Sequence, residues 1–277
     1  MRSMFSGVAG LKAHQTGMDV IGNNIANVNT YGFKSSRTNY RDVYYQTLAG
    51  SSNGDKNATK LYGGKNPSQI GYGSTAASVD VLNTRSGMIP TGKSGDCYID
   101  GEGYFVVKDG ESGYLYTRVG SMGFDADGNL TDGNGRLVCG ANVDAAVPAD
   151  KPVPINVKDI NTYKNITIGS DGKITGEIGG EVKPLGTIAL ANIPNTSGLT
   201  QQGQSYFKAV SNTGTPTYYA PGNGTTGSLR TSALESSNTD LANEFSQMIV
   251  TQRGFQANSK IITVSDQMLE ELVNLKR

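Results

Sequence analysis

A mainly β globular domain with an α-helix at either end, an α+β arrangement with a discontinuous helical part, is the fold class this sequence predicts. Three observations predict it. Apolar residues recur at helical spacing in the first thirty and last forty of the 277 residues. Between them, short apolar runs alternate with Asp-Gly turn dipeptides. Glycine is abundant, at 37 residues, well above the usual share of about 7%.

Taken in order, the N-terminal helix is expected across 1–30. Met4, Val8, Leu11, Met18, Ile25 and Val28 fall at three- and four-residue steps, with Gln15 and Gly22 completing the row and Gly32 as the stop. The segment 31–70 reads as an extended connector. Its apolar patch (Tyr40, Val43, Tyr44, Leu48) dissolves into Ala49-Gly-Ser-Ser-Asn-Gly-Asp55. An all-β domain is expected over 71–230, from runs such as Tyr104-Phe-Val-Val107, Asn165-Ile-Thr-Ile168 and Gly186-Thr-Ile-Ala-Leu190. The dipeptides ending at Gly101, Gly110, Gly128, Gly133 and Gly172 supply residues that tolerate positive φ in tight turns.

The last segment, 231–277, carries the strongest helical pattern, expected from Thr239 to Lys276 behind a capping box at Ser237-Asn-Thr-Asp240. One stripe reads Leu241, Phe245, Met248, Gln252, Phe255, Ser259, Ile262, Asp266, Leu269, Val273. A second runs from Val250 through Ile261, Val264 and Met268 to Leu275. Ordering such a helix costs about 1–2 kcal/mol per residue in backbone entropy. One buried stripe does not offset that, so two apolar stripes imply two partners. The expectation is a helix mobile in the lone chain and ordered when copies pack, with Gln252, Ser259 and Asp266 fixing register as polar seam residues do.

Composition narrows the function. Lys and Arg total 24 and Asp and Glu total 24, so no basic footprint marks a nucleic-acid partner. No apolar run approaches a membrane span, and the start lacks the continuous apolar stretch of a cleaved signal peptide. The loose group Lys56, Lys60, Lys65 sits among Gly, Asn and Ser, as a solvated loop does. Cys97 and Cys139 are read as two small buried thiols, with a single bridge as the other reading.

The residues themselves go further than their periodicity. Gly22-Asn-Asn-Ile-Ala-Asn-Val-Asn-Thr-Tyr-Gly-Phe-Lys34, with Asn23, Asn24, Ala26, Asn27, Asn29, Gly32 and Phe33 at its motif positions, resembles the N-terminal signature of the bacterial flagellar rod and hook protein family. The run 240–260, including Gln252, Arg253, Asn258, Ser259 and Lys260, resembles the family's closing helix, as does 265–276. Asn66-Pro-Ser-Gln-Ile-Gly-Tyr-Gly73 and Leu272-Val-Asn-Leu-Lys-Arg277 look hook-like. The resemblance implies terminal helices that pair as a coiled-coil-like inner domain, with 231–277 against 1–30. It also implies a helical-tube homopolymer, with the short hook first and the distal rod as the alternative. Expected partners are other flagellar rod, cap and hook-filament junction proteins and the export apparatus. No cofactor, no nucleic acid and no direct membrane insertion are expected, and the resemblance implies export without a cleaved signal peptide.

Chemical motifs are few. Gly87-Met-Ile-Pro-Thr-Gly-Lys-Ser94 matches a phosphate-binding pattern, yet the residues after Lys93 read as a strand rather than the helix that chemistry needs. Asp125-Ala-Asp-Gly-Asn-Leu-Thr-Asp132 places Gly128 fourth rather than sixth and lacks a Glu at the twelfth place, so it is read as a hairpin turn and not a calcium loop. His14 is the sole histidine, which argues against a Ser–His–acid triad and a multi-histidine metal site.

Overall fold

The computed structural model describes residues 2–53, 63–110, 113–142, 151–157 and 160–275. Lys56, Lys60 and the last two residues of the hook-like ending lie outside that set. The chain divides into two compact units: 1–26, 36–81 and 240–277 form one, and 27–35 with 82–239 form the other.

The helical unit holds α1 (Arg2–Ala26) and α2 (Leu241–Asn274). It also holds four strands, β1 (Ser36–Asp42), β2 (Tyr45–Ala49), β3 (Ser68–Gly71) and β4 (Ser74–Val81). β1 pairs antiparallel with β4, from Ser36 opposite Val81 to Asp42 opposite Ser74. β2 pairs with β3, Tyr45 opposite Gly71. The segment expected as a connector thus contributes ladders to the helical unit, and the boundary expected at residue 71 falls inside it. The reason is visible in the burial. None of these strands' residues is fully buried and their partly covered ones do not alternate, so they lack the pattern that advertises a half-buried strand. Where β4 begins, the backbone at Gly73 (φ +107°) comes within reach of α1, and a Cβ there would lie 3.1 Å from the Ser6 carbonyl oxygen.

α2 starts two residues later than expected. Asp240 is the N-cap, its carboxylate accepting from the Ala242 and Asn243 amides. The Ser237 hydroxyl instead meets Thr239. A carboxylate one position before the helix outcompetes a hydroxyl three positions back for the first-turn donors.

The β unit is built on two antiparallel sheets. One has six strands in the order Thr200–Gly203, Tyr206–Lys208, Gly113–Thr117, Tyr104–Asp109, Leu190–Asn192, Thr217–Tyr219. The other has five, from Val153–Pro154 through Cys139–Asn142, Glu181–Ile188 and Lys173–Ile178 to Lys164–Ile168. Phe105, Val107, Leu115, Val138, Ile155, Ile174, Ile188 and Leu190 form its core. Of the five Asp-Gly glycines, Gly101, Gly110, Gly128 and Gly172 have positive φ, as their turns require. At Asp132-Gly133 the left-handed position passes to Gly135, because the Asp132 carboxylate holds the Asn134 and Arg136 amides. Cys97 and Cys139 are both free and buried, and burial pushes each thiol up to about 12.

Candidate assembly interface

α1 and α2 run antiparallel, and the pairs across their seam keep one register. Ser3 Oγ lies 3.4 Å from Ser265 Oγ. A Cβ at Gly7 would meet Ile262 at 3.3 Å, and one at Gly10 would lie 2.7 Å from the Asn258 amide nitrogen. One at Gly254 would lie 2.6 Å from the His14 ring, and one at Gly17 would touch the Thr251 methyl at 3.5 Å and run into the Tyr40 hydroxyl of β1. At the far end, Asn24 Nδ2 donates to Glu244 Oε1 at 3.0 Å.

The α1 side of this seam is Ser3, Gly7, Gly10, His14, Gly17, Asn24, steps of four and three with Ile21 filling the remaining place. It is a coiled-coil spacing made of small and polar residues. Glycines there let the two backbones approach, which a row of leucines would prevent.

The apolar stripe of α1 lies one residue round from the seam, about 100° on a helix, while that of α2 is split between the seam and the outside. On α1, Met4, Leu11, Met18 and Ile25 are half-buried on the flank, while Val8 is 43% exposed. Val28 lies beyond α1, half-buried in the β unit. On α2, Met248, Phe255 and Ile262 are half-buried and share the seam side with Glu244, Thr251, Asn258 and Ser265. Leu241, Phe245, Leu269 and Val273 face solvent, Val273 at 70% exposure. The second stripe is also open: Val250, Ile261, Val264, Met268, Leu272 and Leu275 are all exposed. Sequence hydropathy found the apolar rows but not their direction. Glycine carries no such signal, so the seam was silent.

Asn24 is buried and fully engaged. Its Nδ2 also donates to the Ser36 carbonyl at 2.8 Å, and its Oδ1 accepts from the Ser36 amide at 2.9 Å. Glu244 opposite is buried; its Oε2 has no hydrogen-bond partner, and burial pushes its carboxyl above the usual carboxylate range against the pull of Asn24. Of the other motif residues in the helical unit, Asn23, Ala26, Gln252, Arg253 and Lys260 are exposed and Ser259 is half-buried. Asn258 turns its amide back to the Gly254 carbonyl at 3.0 Å.

The rest of the N-terminal motif does its work in the β unit. Asn27 closes a turn with Thr30, Asn29 is exposed, and Phe33 is half-buried. Gly32 has φ +65° and its amide donates to the Glu235 carbonyl. Next to it Lys34, buried, donates to Glu235 Oε1 at 2.6 Å and to the Thr84 carbonyl at 2.7 Å. Arg118 lies 3.7 Å from the other Glu235 oxygen and over the Tyr104 ring. Burial pulls the Lys34 ammonium below its ordinary value, opposed by Glu235. Sequence reasoning missed this cluster, since Lys, Arg and Glu are expected on the surface.

Lys93, in the phosphate-like motif, is followed by a turn and the strand Cys97–Asp100, not a helix, and lies 3.6 Å from Asp96. The Asp125 carboxylate accepts from the Asp127 and Asn129 amides and holds a hairpin turn. Among the described residues no cluster of three His, Cys, Asp or Glu could hold a metal ion, and no helix is long and apolar enough to cross a membrane.

A sheet-based body and a closely packed helix pair with uncovered apolar rows define a structural component made to pack against other protein. Comparison with known proteins gives the family. Residues 4–34 match the flagella basal body rod protein model, 98–176 the flagellar hook protein FlgE/F/G D1 domain, and 230–275 the flagellar basal body rod FlgEFG protein C-terminal model. The chain is 43% identical over 280 residues to a flagellar basal-body rod protein FlgG of Bacillus subtilis, covering all of both chains. It is 35% identical to one of Buchnera aphidicola over 99% of each chain. A flagellar hook protein FlgE of Borreliella burgdorferi is 29% identical over an alignment of 445 residues that covers both chains fully. The chain belongs to the flagellar rod and hook protein family, a structural protein of the bacterial flagellum and not an enzyme.

Proposed function

We propose that the chain is a subunit of the distal rod of the flagellar basal body. The observation that carries this reading is length-matched similarity. Relatives named as basal-body rod proteins align end to end at 43% and 35% identity with few insertions, whereas the hook relative at 29% needs an alignment of 445 residues. On that ground we place rod before hook, the reverse of the order expected from the sequence. The hook-like signals were short motifs near the connector and the C-terminus, and full-length similarity outweighs them.

In this reading copies of the chain stack into a helical tube. The exposed rows of α2 and the flank of α1 from Met4 to Ile25 pack on neighbouring copies, each buried side chain contributing about 1.5–3 kcal/mol. Gly7, Gly10 and Gly254 set how closely the helices of one copy meet, and Asn24 pins their register on Glu244. Adjoining rod and hook subunits cap the two ends of the stack, and the flagellar export apparatus delivers the chain.

Immunogold labelling of purified hook–basal bodies tests the assignment. Label confined to the straight rod between the rings is the expected result. Label along the curved hook would overturn it in favour of the hook.

A further inference from the structure

The chain passes between its two units at 26/27, 35/36, 81/82 and 239/240. Inside the β unit, the residues beside three of those passages meet at one side chain. Asn238 Oδ1 accepts from the Ser35 amide at 2.7 Å. Asn238 Nδ2 donates to the Leu82 carbonyl at 2.7 Å and to Thr84 Oγ1 at 3.1 Å. The Leu82 amide donates to the Ser35 carbonyl at 2.8 Å, and the Asn238 amide donates to the Phe33 carbonyl at 3.4 Å. One carboxamide thus closes a ring through the last residue before one departure, the first residue after the return, and the approach to the final departure.

A second tie lies one residue deeper. Lys34 Nζ joins Glu235 Oε1 to the Thr84 carbonyl, and the Ser86 amide and hydroxyl reach Glu235 Oε1 and the Ser237 carbonyl at 3.1 and 2.7 Å. The same three segments, 33–35, 82–86 and 235–238, are therefore pinned twice.

We propose that Asn238 is a positioning residue that makes three separate chain connections behave as one torsion-bearing joint. A single connecting strand is a swivel, because its φ and ψ turn freely within their allowed basins. Three strands held side by side cannot turn independently, since rotating one breaks its bonds to the others. The task needs a short side chain that donates and accepts at once. Asn has both functions, while ionised Asp only accepts and Leu does neither. The proposal rests on the reading that copies of this chain form a load-carrying polymer.

The test compares full-length wild type, Asn238→Ala, Asn238→Asp and a control, Asn156→Ala, which removes side-chain amide bonds to the Asp127 carbonyl (3.1 Å) and to Asn129 Oδ1 (2.8 Å), none of them to the three pinned segments. Asn238→Ala, which removes all three side-chain bonds, should speed hydrogen exchange at the Ser35 and Leu82 amides at least about tenfold, the effect of losing even one such bond at a local opening. Its polymers should form and bend more easily, with persistence length down by about half or more, while the control's polymers keep wild-type stiffness. Asn238→Asp, which keeps the side-chain volume and the Ser35 bond, should fall between. Asn238→Ala polymers as stiff as wild type would overturn the joint while leaving the rod reading intact. Equal softening by the control would overturn it too. A wild-type chain that forms no polymer would overturn the rod reading first.

Discussion

Glu244 and Asn24, 220 residues apart in sequence, meet across the two terminal helices at 3.0 Å, in a buried site where one carboxylate oxygen has no partner. An ionised carboxylate is costly there, and burial raises its proton affinity in the folded chain. The folded state then binds a proton more readily than the unfolded one, whose carboxyl titrates near about 4.3. Stability of the helix pair should therefore be greatest below that value and fall as pH rises through the raised folded value. Glu244→Gln, which keeps an acceptor for Asn24, should remove most of that slope and raise the melting temperature at neutral pH. Helical circular dichroism against temperature at several pH values measures both. An unchanged slope would show that Glu244 is solvated.

The seam glycines should tolerate no added bulk. At Gly254 a Cβ meets three atoms of the His14 ring between 2.6 and 3.2 Å. Gly254→Val should force the helices apart and cost about 1–3 kcal/mol, as overpacking does. Gly22, where a Cβ would meet nothing within 4 Å, is the matched control. Gly22→Ala should be neutral or stabilising. Denaturant titrations followed by helical signal give both values.

Charges on the outer rows should separate folding from assembly. Phe245, Val250 and Leu272 are at least half exposed, so substitution by Glu should shift stability by no more than about 0.5 kcal/mol. The same changes should abolish polymer formation seen by electron microscopy. If the triple variant still polymerises, these rows are not the contact.

Protection should also grow along α2 when copies assemble. Beyond Ser265, every described residue to Leu275 is exposed. Amides of that stretch should exchange rapidly in dilute monomer and become protected in the polymer. Slow exchange in the monomer would mean that the last turns need no neighbour.

Lys34→Ala should destabilise the β unit by about 3–5 kcal/mol, because it leaves the buried Glu235 short of its 2.6 Å partner. Arg118, at 3.7 Å, is too distant to take over both carboxylate oxygens. Thermal unfolding monitored at β-sheet wavelengths checks it.

Much of this architecture is legible in the residues. The two helices announce themselves because a three-four apolar recurrence survives over seven turns, whatever the partner. The β body is legible through its turns, since left-handed glycines at Gly110, Gly128 and Gly172 need an Asp-Gly signature. Three things were not. The seam between α1 and α2 is written in Gly7, Gly10 and Gly17, which pack by absence of side chain. β1 to β4 are ladders with no fully buried residue and no alternation. Lys34, Arg118 and Glu235 invert the usual exposure of charge, and only their mutual distances reveal them. At the candidate interface, Met248, Phe255 and Ile262 lie on the seam side, while Leu241, Phe245 and Val273 are exposed.

The two thiols of the β body bear on how the subunit would fare in an oxidising environment. Thiolate is the form that attacks disulfides and oxidants, and with both groups held near about 12 almost none exists at neutral pH. The folded subunit should therefore survive an oxidising environment without scrambling or sulfenylation. The same cysteines become reactive only while the chain is unfolded, so labelling by a thiol reagent offers a direct readout of how often the β body opens.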